Sequence, residues 1–196
     1  MTFAPPPTAA AWRHTGARSG FEVVFFQLLD DGWQAEGWTT AVEHDETWAV
    51  AYTIQLDGSW ATRSARVLGR SMSGARSTLL ETDGNGHWLV DGEAAPHLNG
   101  CLDVDLESSA MTNAFPVHRL ALATGASASC PAAYVRAADL AVERLEQTYA
   151  RPLDDAGGWY EYAAPAFEFT CRLAYDESGL VLRYPGIATR VHPAPR

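Results

Sequence analysis

Trp48 to Trp60 reads WAVAYTIQLDGSW. Every second residue from Trp48 through Val50, Tyr52 and Ile54 to Leu56 is large and apolar. A period of two is the mark of a β-strand with one buried face. Asp57-Gly58 ends the run with a hairpin dipeptide, since both residues tolerate the positive φ of a tight turn. Trp60 to Leu68 then leads back, carrying Arg63 and Arg66 on the way. The scheme recurs on both sides. Asp31-Gly32-Trp33 precedes it, and Asp83-Gly84-Asn85-Gly86-His87-Trp88 follows it. The aspartates fall at 31, 57 and 83, in steps of 26. A constant step of this size predicts a repeated supersecondary unit. The unit here is a hairpin with tryptophan opening its outgoing strand. Cys171 to Arg183, turning at Asp176 to Gly179, echoes it.

Working outward, Phe21 to Leu29 is an apolar run around Val23, Val24, Phe25 and Phe26, read as a strand buried on both faces. Tyr134–Arg136, Trp159–Tyr162, Phe167–Tyr175, Leu180–Tyr184 and Ile187–Val191 are further strand candidates. Ala137 to Tyr149 favours helix on residue propensity. Residues 1–11, with three prolines, are expected to be disordered or loosely attached, leaving 12–196 as one β domain. The fold class is therefore mainly β: a single curled antiparallel sheet, with at most one or two short helices.

A chain of 196 residues can bury a sizeable core. Its formal net charge of −10 argues against nucleic acid and against an anionic membrane surface. All 14 basic residues are arginine, so lysine Schiff-base chemistry is excluded. Cys101, Cys130 and Cys171 form no CxxC pair and fit reduced thiols rather than zinc ligands. Met1 to Ala11 has no signal-peptide pattern, and no stretch reaches the length of a membrane helix, so a cytoplasmic location is expected. No phosphate loop, dinucleotide fingerprint or Gly-x-Ser-x-Gly elbow appears, and no cofactor is called for.

The chemistry concentrates in Gly100 to Leu122, GCLDVDLESSAMTNAFPVHRLAL. Leu102, Val104 and Leu106 alternate with Asp103 and Asp105, placing both carboxylates on one strand face, their stems roughly 6.6 Å apart. Val117 to Ala121 alternates too, and is expected to return as a strand that brings His118 or Arg119 beside the aspartates. Paired carboxylates at this spacing suit glycosidase chemistry. The simpler reading is a solvated strand face, or carboxylates satisfied by Arg119 and neighbouring backbone amides. An Asp-x-Asp pair can also hold Mg²⁺ or Ca²⁺, but a full site needs more oxygen ligands than this stretch shows. No metal is assigned. Asn113 reads as turn chemistry, and His118 as a general base, a hydroxyl-binding group or a structural imidazole. The tryptophans at hairpin ends, Trp33, Trp60 and Trp88, are placed to serve both core and cleft.

Cys101, Asp103-Val104-Asp105-Leu106, Thr112-Asn113, Pro116 and Arg119-Leu120 together resemble the signature of a bacterial family, the Putative glycolipid-binding proteins. Trp12, Gly20-Phe21-Glu22, Trp60, Trp88, Asp91-Gly92, Gln147-Tyr149, Gly179-Leu180-Val181 and Tyr184-Pro185 extend the likeness over nearly the whole chain. In the family's pattern the position of His118 is usually Arg, a departure in this chain. The resemblance implies a spiral β-roll built by duplication, and a lipid or glycolipid ligand. On that reading Asp103, Asp105, Asn113, His118 and Arg119 hold a polar head, while Trp60, Trp88 and Tyr184 line an apolar groove. Two other readings stand beside it. One is a hydrolase of carbohydrate or lipid conjugates using the paired aspartates. The other is a structural or interaction protein without a small-molecule site. The oligomeric state is left open by the sequence.

Overall fold

The computed structural model describes residues 3–16, 18–153 and 158–191. Strands β1 (Ala9–His14), β2 (Arg18–Leu29), β3 (Gly32–Glu43), β4 (Glu46–Asp57), β5 (Thr62–Ser71), β6 (Gly74–Thr82), β7 (Trp88–Val90) and β8 (Glu93–Ala94) follow one another as a meander. The short β9 (Asp103–Leu106) leads through a 3-10 turn, Met111–Asn113, into α1 (Ala114–Leu120). The chain then forms β10 (Ser127–Ser129), β11 (Ala132–Val135), β12 (Val142–Leu145), β13 (Thr148–Ala150), β14 (Trp159–Ala164), β15 (Phe169–Tyr175), β16 (Val181–Tyr184) and β17 (Ala188–Val191). Fourteen strands make one antiparallel sheet, ordered β10-β13-β14-β15-β16-β17-β1-β2-β3-β4-β5-β6-β7-β8. Its two ends, β10 and β8, do not pair, so the sheet is open. The antiparallel β1–β17 seam joins its N-terminal and C-terminal halves. A smaller sheet, β12-β11-β9, contains one parallel pair, β9 with β11.

The large sheet curls around the stretch from β9 to α1. From Cys101 to Val117 every residue except Leu102 and Glu107 is buried. Both halves of the sheet grip it. From one side, Thr62 Oγ1 accepts the Val104 amide at 3.0 Å and Trp88 Nε1 donates to the Cys101 carbonyl at 2.9 Å. From the other, Tyr175 donates its hydroxyl to the Asn113 carbonyl at 3.1 Å. Buried backbone polar groups need such partners, because water cannot reach them.

The repeat survives as turn chemistry. Asp57, Asp83 and Asp176 each use Oδ1 to accept the amides two and four residues on: Ser59 and Ala61, Asn85 and His87, Ser178 and Leu180. Asp31 keeps the spacing but sits in a tight turn closed by the Leu29–Gly32 pair. At Asp57-Gly58 the hairpin forms, with one correction. The positive φ falls on Trp60, at 68°, because the loop is held by the Asp57 carboxylate rather than by a two-residue turn.

Four expectations are corrected. Phe21 to Leu29 is a strand with one buried face, since Phe21 and Phe25 are exposed. Residues 137–149 contain β12 and β13 instead of a helix. Sheet pairing overrides a weak propensity there, and Leu140 has a φ of 60° that no helix continues through. Val117 to Leu120 belong to α1 rather than to a strand, and Ala121 caps that helix in a left-handed conformation. Pro116 lies in the helix's first turn, where its fixed φ fits and its missing N–H costs nothing, and five alternating residues were too few to decide the period. The N-terminal segment is tied down earlier than residue 12. Ala9 to Ala11 pair with Phe25 to Val23, Ala4 donates its amide to Glu177, and the Phe3 ring lies 4.5 Å from that of His118. Residues 1 and 2 of that segment lie outside the described residues.

Candidate functional site

Asp103 and Asp105 are both buried, and the strand turns them to separate partners. Arg119 grips Asp103 at two points, Nε to Oδ1 at 3.0 Å and a terminal nitrogen to Oδ2 at 2.6 Å. The Cys130 thiol donates to the same Oδ2 at 3.1 Å. Burial, ahead of the Asp103 charge, pushes this thiol well above its usual range, so it is not a nucleophile. Asp105 accepts the Thr112 hydroxyl at 2.8 Å and the Gln147 amide at 3.1 Å. Burial pushes its carboxyl up to about 6, against the pull of those two hydrogen bonds and aided by the charges of Asp103 and Glu107.

His118 lies flat on Trp60, ring centroids 3.6 Å apart and planes 6° from parallel. Its Nε2 is 2.9 Å from the Ser178 carbonyl, which requires the proton on Nε2. Burial pulls this imidazole down to about 4, so it is a neutral donor near pH 7. Asn113 accepts the Tyr149 hydroxyl at 2.8 Å. Each of these groups is engaged by the protein itself.

A third buried carboxylate was missed by the sequence reading. Glu22 has no exposed surface. It accepts the Tyr52 hydroxyl at 2.6 Å, the Ser109 hydroxyl, and the Ala110 amide at 2.9 Å. Burial raises its pKa and these donors oppose the rise. The signal was present: a lone glutamate inside the apolar run of β2 must find donors or lose its charge.

Where the polar core meets the surface there is a cleft of about 180 Å³. Asp105, Asn113 and Ser109 form its floor; Arg18 and Glu107 flank it; Tyr134, Tyr162, Phe167, Phe169 and Tyr184 make an aromatic wall. The Tyr162 and Tyr184 rings meet edge to face at 5.9 Å, and Phe169 lies 6.0 Å from Tyr184. Arg18 donates to the Glu107 carbonyl at 2.6 Å and pairs with Glu43 at 3.4 Å. Of the eight residues expected at the site, Asp105, Asn113 and Tyr184 line this cleft. Asp103, His118, Arg119 and Trp60 lie in the packed polar core beside it. Trp88 lines a separate, larger apolar depression of about 600 Å³ at the β6–β8 edge, which shares no residue with the cleft. Of the aromatic wall only Tyr184 was expected from the sequence; Tyr162, Phe167 and Phe169 escaped it because β14, β15 and the turn between them meet β9 only through the curl of the sheet.

An open, curled β-sheet thus wraps a buried polar helix-and-strand plug, and a small cleft with an aromatic wall opens beside the buried Asp105 carboxylate. The chain belongs to the family described as Putative glycolipid-binding, whose model matches residues 9–190. It is similar to a DUF1089 family protein of Pseudomonas aeruginosa of known crystal structure, at 34% identity and a TM-score of 0.77, covering 97% of this chain and 98% of that one. A beta-barrel-like protein of the DUF1849 domain of unknown function, from Brucella abortus, shares the fold at 11% identity and a TM-score of 0.52, with 96% of each chain covered. No curated protein matches the chain.

Proposed function

We propose that the protein binds a glycolipid through its saccharide head, held in the cleft above Asp105. The observation that carries this reading is the pairing of a buried, hydrogen-bonded carboxylate with a wall of tyrosine and phenylalanine rings. Aromatic faces stack on the apolar faces of sugar rings, and a fixed carboxylate accepts their hydroxyls. Arg18, buried and paired with Glu43, holds the Glu107 end of the cleft in place. At about 180 Å³ the cleft is smaller than the roughly 300–1,000 Å³ of sites that enclose a whole drug-sized ligand. It therefore takes the head and leaves acyl chains outside. The family's description supports the ligand class. Three free cysteines fit the reducing cytoplasm expected from the sequence. Among the described residues no helix is long and apolar enough to cross a membrane.

Calorimetric titration with water-soluble glycolipids tests the proposal. Saturable binding that falls about tenfold or more in Phe169→Ala and in Asp105→Asn is expected. Equal affinity in both variants would refute it.

A second reading has one specific support. Glu107, just past the end of β9, lines the same cleft as Asp105. Glycosidases use two carboxyl groups facing one cleft, and burial pushes the Asp105 carboxyl up to about 6, where a general acid works. Asp103, tied to Arg119, is not the second carboxyl of such a pair. Release of free sugar from the bound glycolipid, abolished in Glu107→Gln, distinguishes hydrolysis from binding alone.

A further inference from the structure

The outer face of the long hairpins carries an apolar row that no described part of the chain covers. Register aligns Val23 with Trp38, Trp38 with Ala51 and Ala51 with Leu68 across four neighbouring strands. Phe21 and Phe25 flank Val23 on the same face of β2. Phe25 is 51% exposed, Leu68 47% and Trp38 46%, and the Phe25 and Trp38 rings meet edge to face at 6.1 Å. Exposed aromatic side chains gathered in this way mark an interaction surface rather than scattered surface residues.

The charge of this face is opposite to that of the molecule. The two register rows beside the apolar one contain Arg13, opposite Phe21, Arg70, opposite Ala49, and Arg66, opposite Thr53. The one acid in them is Glu36, opposite Phe25. None of the three arginines is engaged in an ion pair among the described residues. A chain of net charge −10 thus places three arginines without an ion pair among the described residues around this apolar row.

We propose that this face seats the protein on an anionic lipid surface. Aromatic side chains would enter the headgroup boundary, and the arginines would meet lipid phosphates. Two features favour a membrane over a second copy of the chain. A two-fold contact through this face would set arginines against arginines. The face is also the convex side of the curled sheet, which presents projecting rings. The overall acidity of the sequence argued against such a surface, because a net charge says nothing of how charge is distributed. The inference rests on the outer face and is independent of what the cleft binds.

Co-sedimentation of the full chain with vesicles free of glycolipid tests it. With phosphatidylcholine–phosphatidylglycerol vesicles the wild type is expected in the pellet, and added salt or pure phosphatidylcholine should return it to the supernatant. Arg66→Glu/Arg70→Glu should weaken partitioning by about tenfold or more. Phe25→Ser/Trp38→Ser should act likewise, with an unchanged near-ultraviolet dichroism melt showing that the fold is kept. Wild type that stays in the supernatant, or binding unmoved by salt and by both double variants, overturns the proposal. So does a lipid-free dimer in light scattering that Trp38→Ser dissociates, which would assign the face to a second copy. Should either variant misfold, the salt and lipid dependence of the wild type still decides.

Discussion

Asp103 and Asp105 sit two residues apart on one strand and keep different company: a guanidinium and a thiol for one, a hydroxyl and an amide for the other. The difference fixes what each does when altered. Asp103→Asn leaves Arg119 half-buried without its counter-charge. A loss of about 3 kcal/mol in denaturant unfolding is expected, since breaking one partner of a buried pair strands the other. A loss below about 0.5 kcal/mol would show the pair to be an ordinary surface contact. Asp105 acts through pH. Its folded pKa of about 6 lies above the ordinary 3.8, so between those values the folded state holds a proton that the unfolded state has lost. Stability from this group is therefore present at low pH and falls as pH rises through about 6. His14 and His118, each pulled by burial from 6.5 to about 4, act in the opposite sense and lose stability as pH falls through that window. Asp105→Asn removes the opposing term. The fall in stability on acidification from about pH 6.5 to 4 should then be steeper than in wild type, as read by denaturant midpoints across that range. A shallower profile would contradict the assignment. Sequence showed these residue types and their spacing. It could not show that one carboxylate would face Arg119 and the other the cleft, because the partner side chains arrive from α1 and from the loop before β13.

At the scale of elements, the hairpins were legible because their signal is local. Trp48 to Leu56 alternates, and the same five side chains are buried along β4. The turns were legible for the same reason, since Asp57, Asp83 and Asp176 bond to amides within four residues. What failed was local signal against tertiary demand. The segment from Ala137 has helix-forming composition, but the sheet needs strands between β11 and β14, and pairing decides. Gly37 shows a demand that pattern cannot reveal. A Cβ there would strike the Tyr52 ring, which lies across β3 to bring its hydroxyl to Glu22. Gly37→Ala should therefore displace Tyr52 and cost about 1–3 kcal/mol, more than the same change at a solvent-facing strand glycine. A melt equal to wild type would mean that the Glu22 network tolerates the shift.

Across the whole molecule, the curl of an open fourteen-stranded sheet places β2, β9, β14 and β15 around one small opening. The composition announced many aromatics and a strong negative charge. Neither told which rings would share a wall, nor that Arg13, Arg66 and Arg70 would flank one apolar row of the outer face, because both depend on register across the sheet. The central claim is that this opening receives a saccharide head. Its most direct test is an amide-resolved nuclear magnetic resonance titration of the wild-type protein with a water-soluble glycolipid. The account predicts saturable shifts concentrated at Asp105, Tyr162, Phe167, Phe169 and Tyr184, with the depression near Trp88 unmoved. Shifts confined to that depression, or no shifts at saturating ligand, would contradict it.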